Sequence, residues 1–168
     1  WTLIDTDDLI VAIAGKPIQR IFAEDGETYF RCVERDAVME ACAGGQRVIA
    51  SGGGAPVTVE NRHEIFRSSL VVGLHANPET ILERLLSQLR GGSVRPLLAT
   101  PDPKGRIRTL LAEREAVYAL AHLAIKTDAL TTAQVTSVIL DHLNAATMPC
   151  ATGKVARRDG PAKETSLG

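Results

Sequence analysis

At 168 residues, 45% apolar and 4% aromatic, the chain is long enough for one domain with an aliphatic core and poor in the aromatics of a binding module. Nineteen basic against twenty acidic residues leave a formal charge of −1, so no overall field draws the protein to nucleic acid or an anionic membrane. Cys32, Cys42 and Cys150, odd in number and without metal-ligand spacing, argue against a disulfide framework or zinc site and for a reducing cytoplasm, and no apolar run approaches the roughly 20 residues of a membrane span.

Thr2-Leu3-Ile4 reads as a strand that runs into Asp5-Thr6-Asp7. On an extended backbone, residues two apart face the same way, which aims Asp5 and Asp7 into one cleft; equally, Thr6 and Asp7 are common caps for a helix over 8–14. Gly15 ends that helix, Pro17 opens a short second one through Phe22, and Gly26 breaks it. From Glu27 to Ala43 the residues Tyr29, Phe30, Val33, Ala37, Val38 and Ala41 recur at helical spacing. Arg31 and Glu34, three apart, meet on one face of that helix, either as a surface ion pair or as a carboxylate steadying a guanidinium. Gly44-Gly45 then hands over to Val48–Ser51, an apolar run that reads as a buried parallel strand and stops in Gly52-Gly53-Gly54.

In open α/β sheets ligands bind beyond the carboxyl ends of strands, and a loop without side chains lets a ligand approach the backbone; a plain flexible connection is the other reading. Asp5 and Asp7 before this edge, Arg31 between, and Arg95 and Arg114 after it suggest a small, hydroxylated, anionic substrate.

Beyond the glycines, Val59–Ser68 reads as a moderately amphipathic helix, Leu70–Leu74 as a buried strand, and Asn77-Pro78-Glu79 as the start of a helix to about Leu89. Arg90–Lys104 is rich in Gly and Pro and carries Arg90, Arg95 and Lys104, the composition of a positively charged mobile loop that is either functional, as a lid closing over phosphates, or disordered. A helix from Arg106 to about Tyr118 bears Arg114, Leu123–Lys126 is a last strand, and Thr131 and Thr132 can cap a final helix. From Ala146 the periodicity dissolves into a tail or linker. Gly153-Lys154 and Gly160–Thr165 lack the glycine spacing and terminal Ser or Thr of a phosphate loop, and neither follows a strand.

Five signals in order, LIDTD at Leu3–Asp7, IFAEDGETYFRCVE at Ile21–Glu34, GGG at Gly52–Gly54, RPLL at Arg95–Leu98 and ERxxxY at Glu113–Tyr118, resemble the shikimate kinase family from Trp1 to about Leu143. The resemblance implies a P-loop kinase fold of the nucleoside-monophosphate-kinase type, a parallel sheet flanked by helices. The domain is expected over residues 1–145, with the lid at about 90–104 and the tail over 146–168. The implied reaction is transfer of the ATP γ-phosphate to the 3-hydroxyl of shikimate, in chorismate biosynthesis, with Mg²⁺.

By the same resemblance, Asp7 binds the shikimate hydroxyls and orients or deprotonates the nucleophile, and Asp5 lies near the metal through its waters. Arg31 and Arg114 grip the substrate carboxylate, Gly53 and Gly54 form the backbone edge beside the ring, and Arg95 is the lid arginine at the ATP phosphates. The family's first strand, phosphate loop and first helix have no counterpart in these residues. That strand is expected centrally, between Val48–Ser51 and Leu70–Leu74, and the 168 residues alone are expected to be inactive and poorly stable. Two departures, Cys32 in place of a second arginine and Glu115-Ala116 in place of Ala-Pro, touch no assigned role. The alternatives are a domain that senses the metabolite without phosphorylating it and a related gluconate kinase, against which the paired arginines, the glycines and RPLL argue. Fusion through the tail to another enzyme of the pathway is a further expectation of the resemblance.

Overall fold

The computed structural model describes residues 1–89 and 101–147. Four short strands, β1 (Thr2–Asp5), β2 (Arg47–Ala50), β3 (Val72–His75) and β4 (Leu123–Lys126), alternate with helices and pair in parallel. Parallel pairing requires crossovers of a dozen residues or more, which the helices provide. Three of these, α1 (Thr6–Ala14), α2 (Ile18–Glu24) and α3 (Gly26–Cys42), connect β1 to β2. A 3-10 turn at Ala55–Val57 and α4 (Val59–Ser68) lead to β3, α5 (Pro78–Leu89) and α6 (Pro103–Tyr118) lie between β3 and β4, and α7 (Thr132–Thr147) follows.

The strands form two separate pairs. β1 pairs with β2 from Thr2↔Arg47 to Asp5↔Ala50, and β3 with β4 from Val72↔Leu123 to His75↔Lys126; among the described residues no strand joins β2 to β3. Val48 and Leu74, on the two strands that flank this gap, are 53% and 58% exposed. The arrangement agrees with a parallel α/β sheet flanked by helices, without its central strand among the described residues.

The main core lies under the first three helices. Ile10 from α1, Ile21 from α2 and Phe30, Val33 and Ala37 from α3 are buried together, with Leu9, Ala14 and Ile18 packed around them. Burying the Ile, Val and Phe side chains stabilises by about 1.5–3 kcal/mol each. The helical spacing of the α3 residues is what puts Phe30, Val33 and Ala37 on one side of the helix and Arg31 beside it.

Several boundaries move for local chemical reasons. The cap of α1 is Asp5, whose carboxylate accepts from the Asp7 N–H at 2.8 Å, so the helix begins at Thr6 and Asp7 belongs to its first turn. Asp5 and Asp7 therefore do not alternate along one extended strand. Helix α6 begins at Pro103, inside the stretch read as loop, because Asp102 accepts from the Gly105 N–H at 2.8 Å and Pro103 suits the first helical position. Strand β3 runs to His75, whose polar side chain conceals that its backbone pairs with Lys126. Thr131 does cap α7: its Oγ1 accepts from Gln134 N–H, and Gln134 Oε1 accepts from Thr131 N–H, a reciprocal capping box.

Candidate functional site

The parallel register brings the carboxyl ends of β1 and β2 to the same edge. Buried Thr6 ties them together: its hydroxyl donates to Ala50 O at 3.4 Å and accepts from Gly52 N–H at 3.2 Å. Beyond this tie, Gly52, Gly53 and Gly54 pass in front of the expected side chains. A β-carbon at Gly52 would lie 3.3 Å from Asp7 Oδ1. One at Gly53 would lie 2.7 Å from Tyr118 Oη and 3.1 Å from Arg114 Nη1. One at Gly54 would lie 3.4 Å from Arg31 Nη1, 3.8 Å from Arg114 Nη2 and 4.0 Å from Glu34 Oε1. Here the need for glycine is proximity, and Asp7, Arg31 and Arg114, far apart in sequence, are gathered around it.

The two arginines are held differently. Arg31 donates from Nη1 to Glu34 Oε2 at 2.9 Å and from Nη2 to Glu27 Oε1 at 3.0 Å, and its guanidinium stands 5.3 Å from the Phe30 ring centre. Glu34 is buried at 4% exposure, so this pair is more than a surface contact. Burial pulls the Arg31 pKa down, but its hydrogen bonds to Glu34 and then Glu27 outweigh it, leaving the group above its ordinary value and charged at any physiological pH. Arg114 donates to no carboxylate among the described residues; its place is set by α6, four residues before Tyr118, whose hydroxyl donates to Gly53 O at 2.7 Å.

Asp5 sits at the same edge with one oxygen engaged by the helix cap. A hard divalent cation keeps several waters and takes one or two carboxylates together with phosphate oxygens, so the adjacent Asp5 and Asp7 fit a cation that arrives with a nucleotide. A group of three or more metal-binding side chains is absent among the described residues. Arg95 and residues 90–100 of the expected lid, like residues 148–168 of the expected tail, lie outside the described residues.

Next to the glycine edge, at the carboxyl ends of β3 and β4, a cavity of about 770 Å³ is lined by His75, Arg84, Ile107, Arg114, Tyr118 and Thr127 among others. Arg84 closes one side, donating to Thr127 Oγ1 at 2.8 Å and to Thr127 O at 2.6 Å. Arg84 and Thr6 were not among the expected site residues, and nothing local marks them: both act through partners more than 40 residues away.

The sequence matches the family model for shikimate kinase over residues 1–144. The chain belongs to the shikimate kinase family. Among relatives, the shikimate kinase of Symbiobacterium thermophilum is 44% identical over 141 residues, covering 83% of this chain and 80% of that protein. The shikimate kinase of Deinococcus radiodurans is 38% identical over 140 residues, covering 83% and 69%. Among solved structures, a shikimate kinase from Acinetobacter baumannii in complex with shikimate superposes with a TM-score of 0.78 at 29% identity, over 88% of this chain and 81% of that one. The Bacteroides thetaiotaomicron enzyme gives 0.75 at 26% identity, over 88% and 84%. The fold of this shikimate kinase family member is thus the P-loop kinase fold, and the chain is of a phosphotransferase family.

Proposed function

We propose that this protein phosphorylates the 3-hydroxyl of shikimate with the γ-phosphate of ATP, in the aromatic amino-acid pathway of the cytoplasm. The observation that carries the reading is the convergence of Asp7, Arg31 and Arg114 on the Gly52–Gly54 edge. Two guanidiniums, one from α3 and one from α6, present forked donors suited to a single carboxylate, and backbone without side chains leaves room for a flat ring between them. Asp7 then faces the hydroxyl to be phosphorylated, orienting it and taking its proton. Phosphoryl transfer asks for this kind of positioning more than for covalent help. Mg²⁺ bound near Asp5 and its waters would neutralise phosphate charge, and Arg95 would add a cation from the lid.

The reaction also needs a phosphate-binding loop, which the Gly-Lys pairs of this sequence do not form. We place that loop on a strand between β2 and β3. The open edges there and the exposed Val48 and Leu74 beside them support this, since unpaired strand edges and uncovered apolar faces are costly. On this reading the 168 residues alone are inactive. A complete carboxylate clamp without a phosphate loop also favours a second reading, a domain that binds shikimate without phosphorylating it.

Shikimate-dependent ADP release by the product of the complete reading frame, compared with Asp7→Asn, decides between them. Turnover that requires shikimate and falls by roughly 10²-fold or more in the variant supports the kinase. Saturable shikimate binding with no ADP release supports the sensor.

A further inference from the structure

We propose that Tyr118 is a positioning residue for substrate binding, doing for Arg114 through helix α6 what Glu34 does directly for Arg31; this rests on the reading of the two arginines as the carboxylate clamp. The asymmetry between them calls for such a residue. Arg31 is steadied by two carboxylates, whereas Arg114 makes no ion pair among the described residues and would be free to swing if its helix shifted.

Arg114 and Tyr118 are four apart on α6 and therefore project from one face, a turn apart. Both are seated on the same glycine: the phenol donates to Gly53 O at 2.7 Å, and Arg114 Nη1 is 3.1 Å from where a Gly53 β-carbon would be. Residues 53 and 118 are 65 apart in sequence, and this hydrogen bond ties the last turn of the helix that carries Arg114 directly to the edge that it serves. It also fixes the glycine edge itself. No peptide bond among the described residues is cis, so holding the Gly53 carbonyl toward the phenol turns the Gly54 N–H to the opposite side. The ring is braced in turn by His75, edge-on at 6.2 Å.

The test is Tyr118→Phe in the product of the complete reading frame, with shikimate and ATP titrated separately. Loss of one positioning hydrogen bond is expected to raise the KM for shikimate by roughly three- to tenfold, while kcat and the KM for ATP stay within about twofold. In an Arg114→Ala background the same change is expected to add less than about twofold, because the group being positioned is gone. A wild type that turns over shikimate beside a Tyr118→Phe variant with unchanged shikimate KM overturns the positioning role alone. So does an equal loss in both KM values and kcat, the sign of general loosening. A wild type with neither turnover nor shikimate binding overturns the clamp and the role together.

Discussion

Gly53→Ala probes the glycine edge most directly. The φ of Gly53 is outside the left-handed region, so alanine costs little in backbone strain and the effect is steric. The added methyl would sit 2.7 Å from Tyr118 Oη and 3.1 Å from Arg114 Nη1, where ordinary contact begins at 3.4 Å, so both groups must retreat by several tenths of an ångström. Moving the phenol breaks its bond to Gly53 O, worth about 1 kcal/mol, or about 2–4 °C in Tm for a chain of this size. On the proposed reading of Arg114 as part of the carboxylate clamp, moving the guanidinium would remove a charged hydrogen bond to shikimate, worth about 1.5–3 kcal/mol, which corresponds to roughly 10- to 150-fold in the KM for shikimate. Steady-state kinetics on the complete protein, with a thermal melt, measures both. Gly45→Ala is the control, since nothing lies within 4 Å of its β-carbon. A Gly53→Ala variant whose shikimate KM stays within about threefold of wild type, or a Gly45→Ala variant that shares the loss, would refute the reasoning.

Glu34→Gln keeps the shape of the buried side chain and removes the charge that orients Arg31 at 2.9 Å. The expected result is a several-fold rise in shikimate KM at constant kcat, with a stability loss of about 1 kcal/mol in urea, since Glu27 still holds part of the guanidinium. Asp128 gives a pH prediction. Its carboxyl is held below the ordinary range by the Asn77 N–H first and the Thr80 hydroxyl second, against some opposing burial. A depressed pKa contributes stability that is present above the unfolded value, about 4, and is lost as pH falls through the folded one. Asp128→Asn should therefore lower Tm most at neutral pH, with the gap to wild type closing as the solution is acidified; a gap that widens in acid would contradict the assignment.

What the sequence determined by itself is what neighbouring residues decide among themselves. Pro78 after Asn77 starts α5, and α4 and β4 have the bounds that their patterns imply, because caps and periodicity act within a turn or two. The Arg31–Glu34 pair follows from a separation of three on a helix, and the arrest of β2 at three glycines marks an edge where a ligand can approach. The order of the motifs carried the family. Tertiary structure alone decided which groups meet at that edge. Asp5 caps α1 instead of lying in line with Asp7 because the helix starts one residue after the strand ends, which no alternation rule anticipates. Tyr118 reaches Gly53 and Thr6 reaches Gly52 because β1 and β2 pair in parallel and α6 packs against the 3-10 turn that follows the glycines. Such contacts span 65 and 46 residues, and their existence depends on the stacking of whole elements, a property of the packed core that no local stretch encodes.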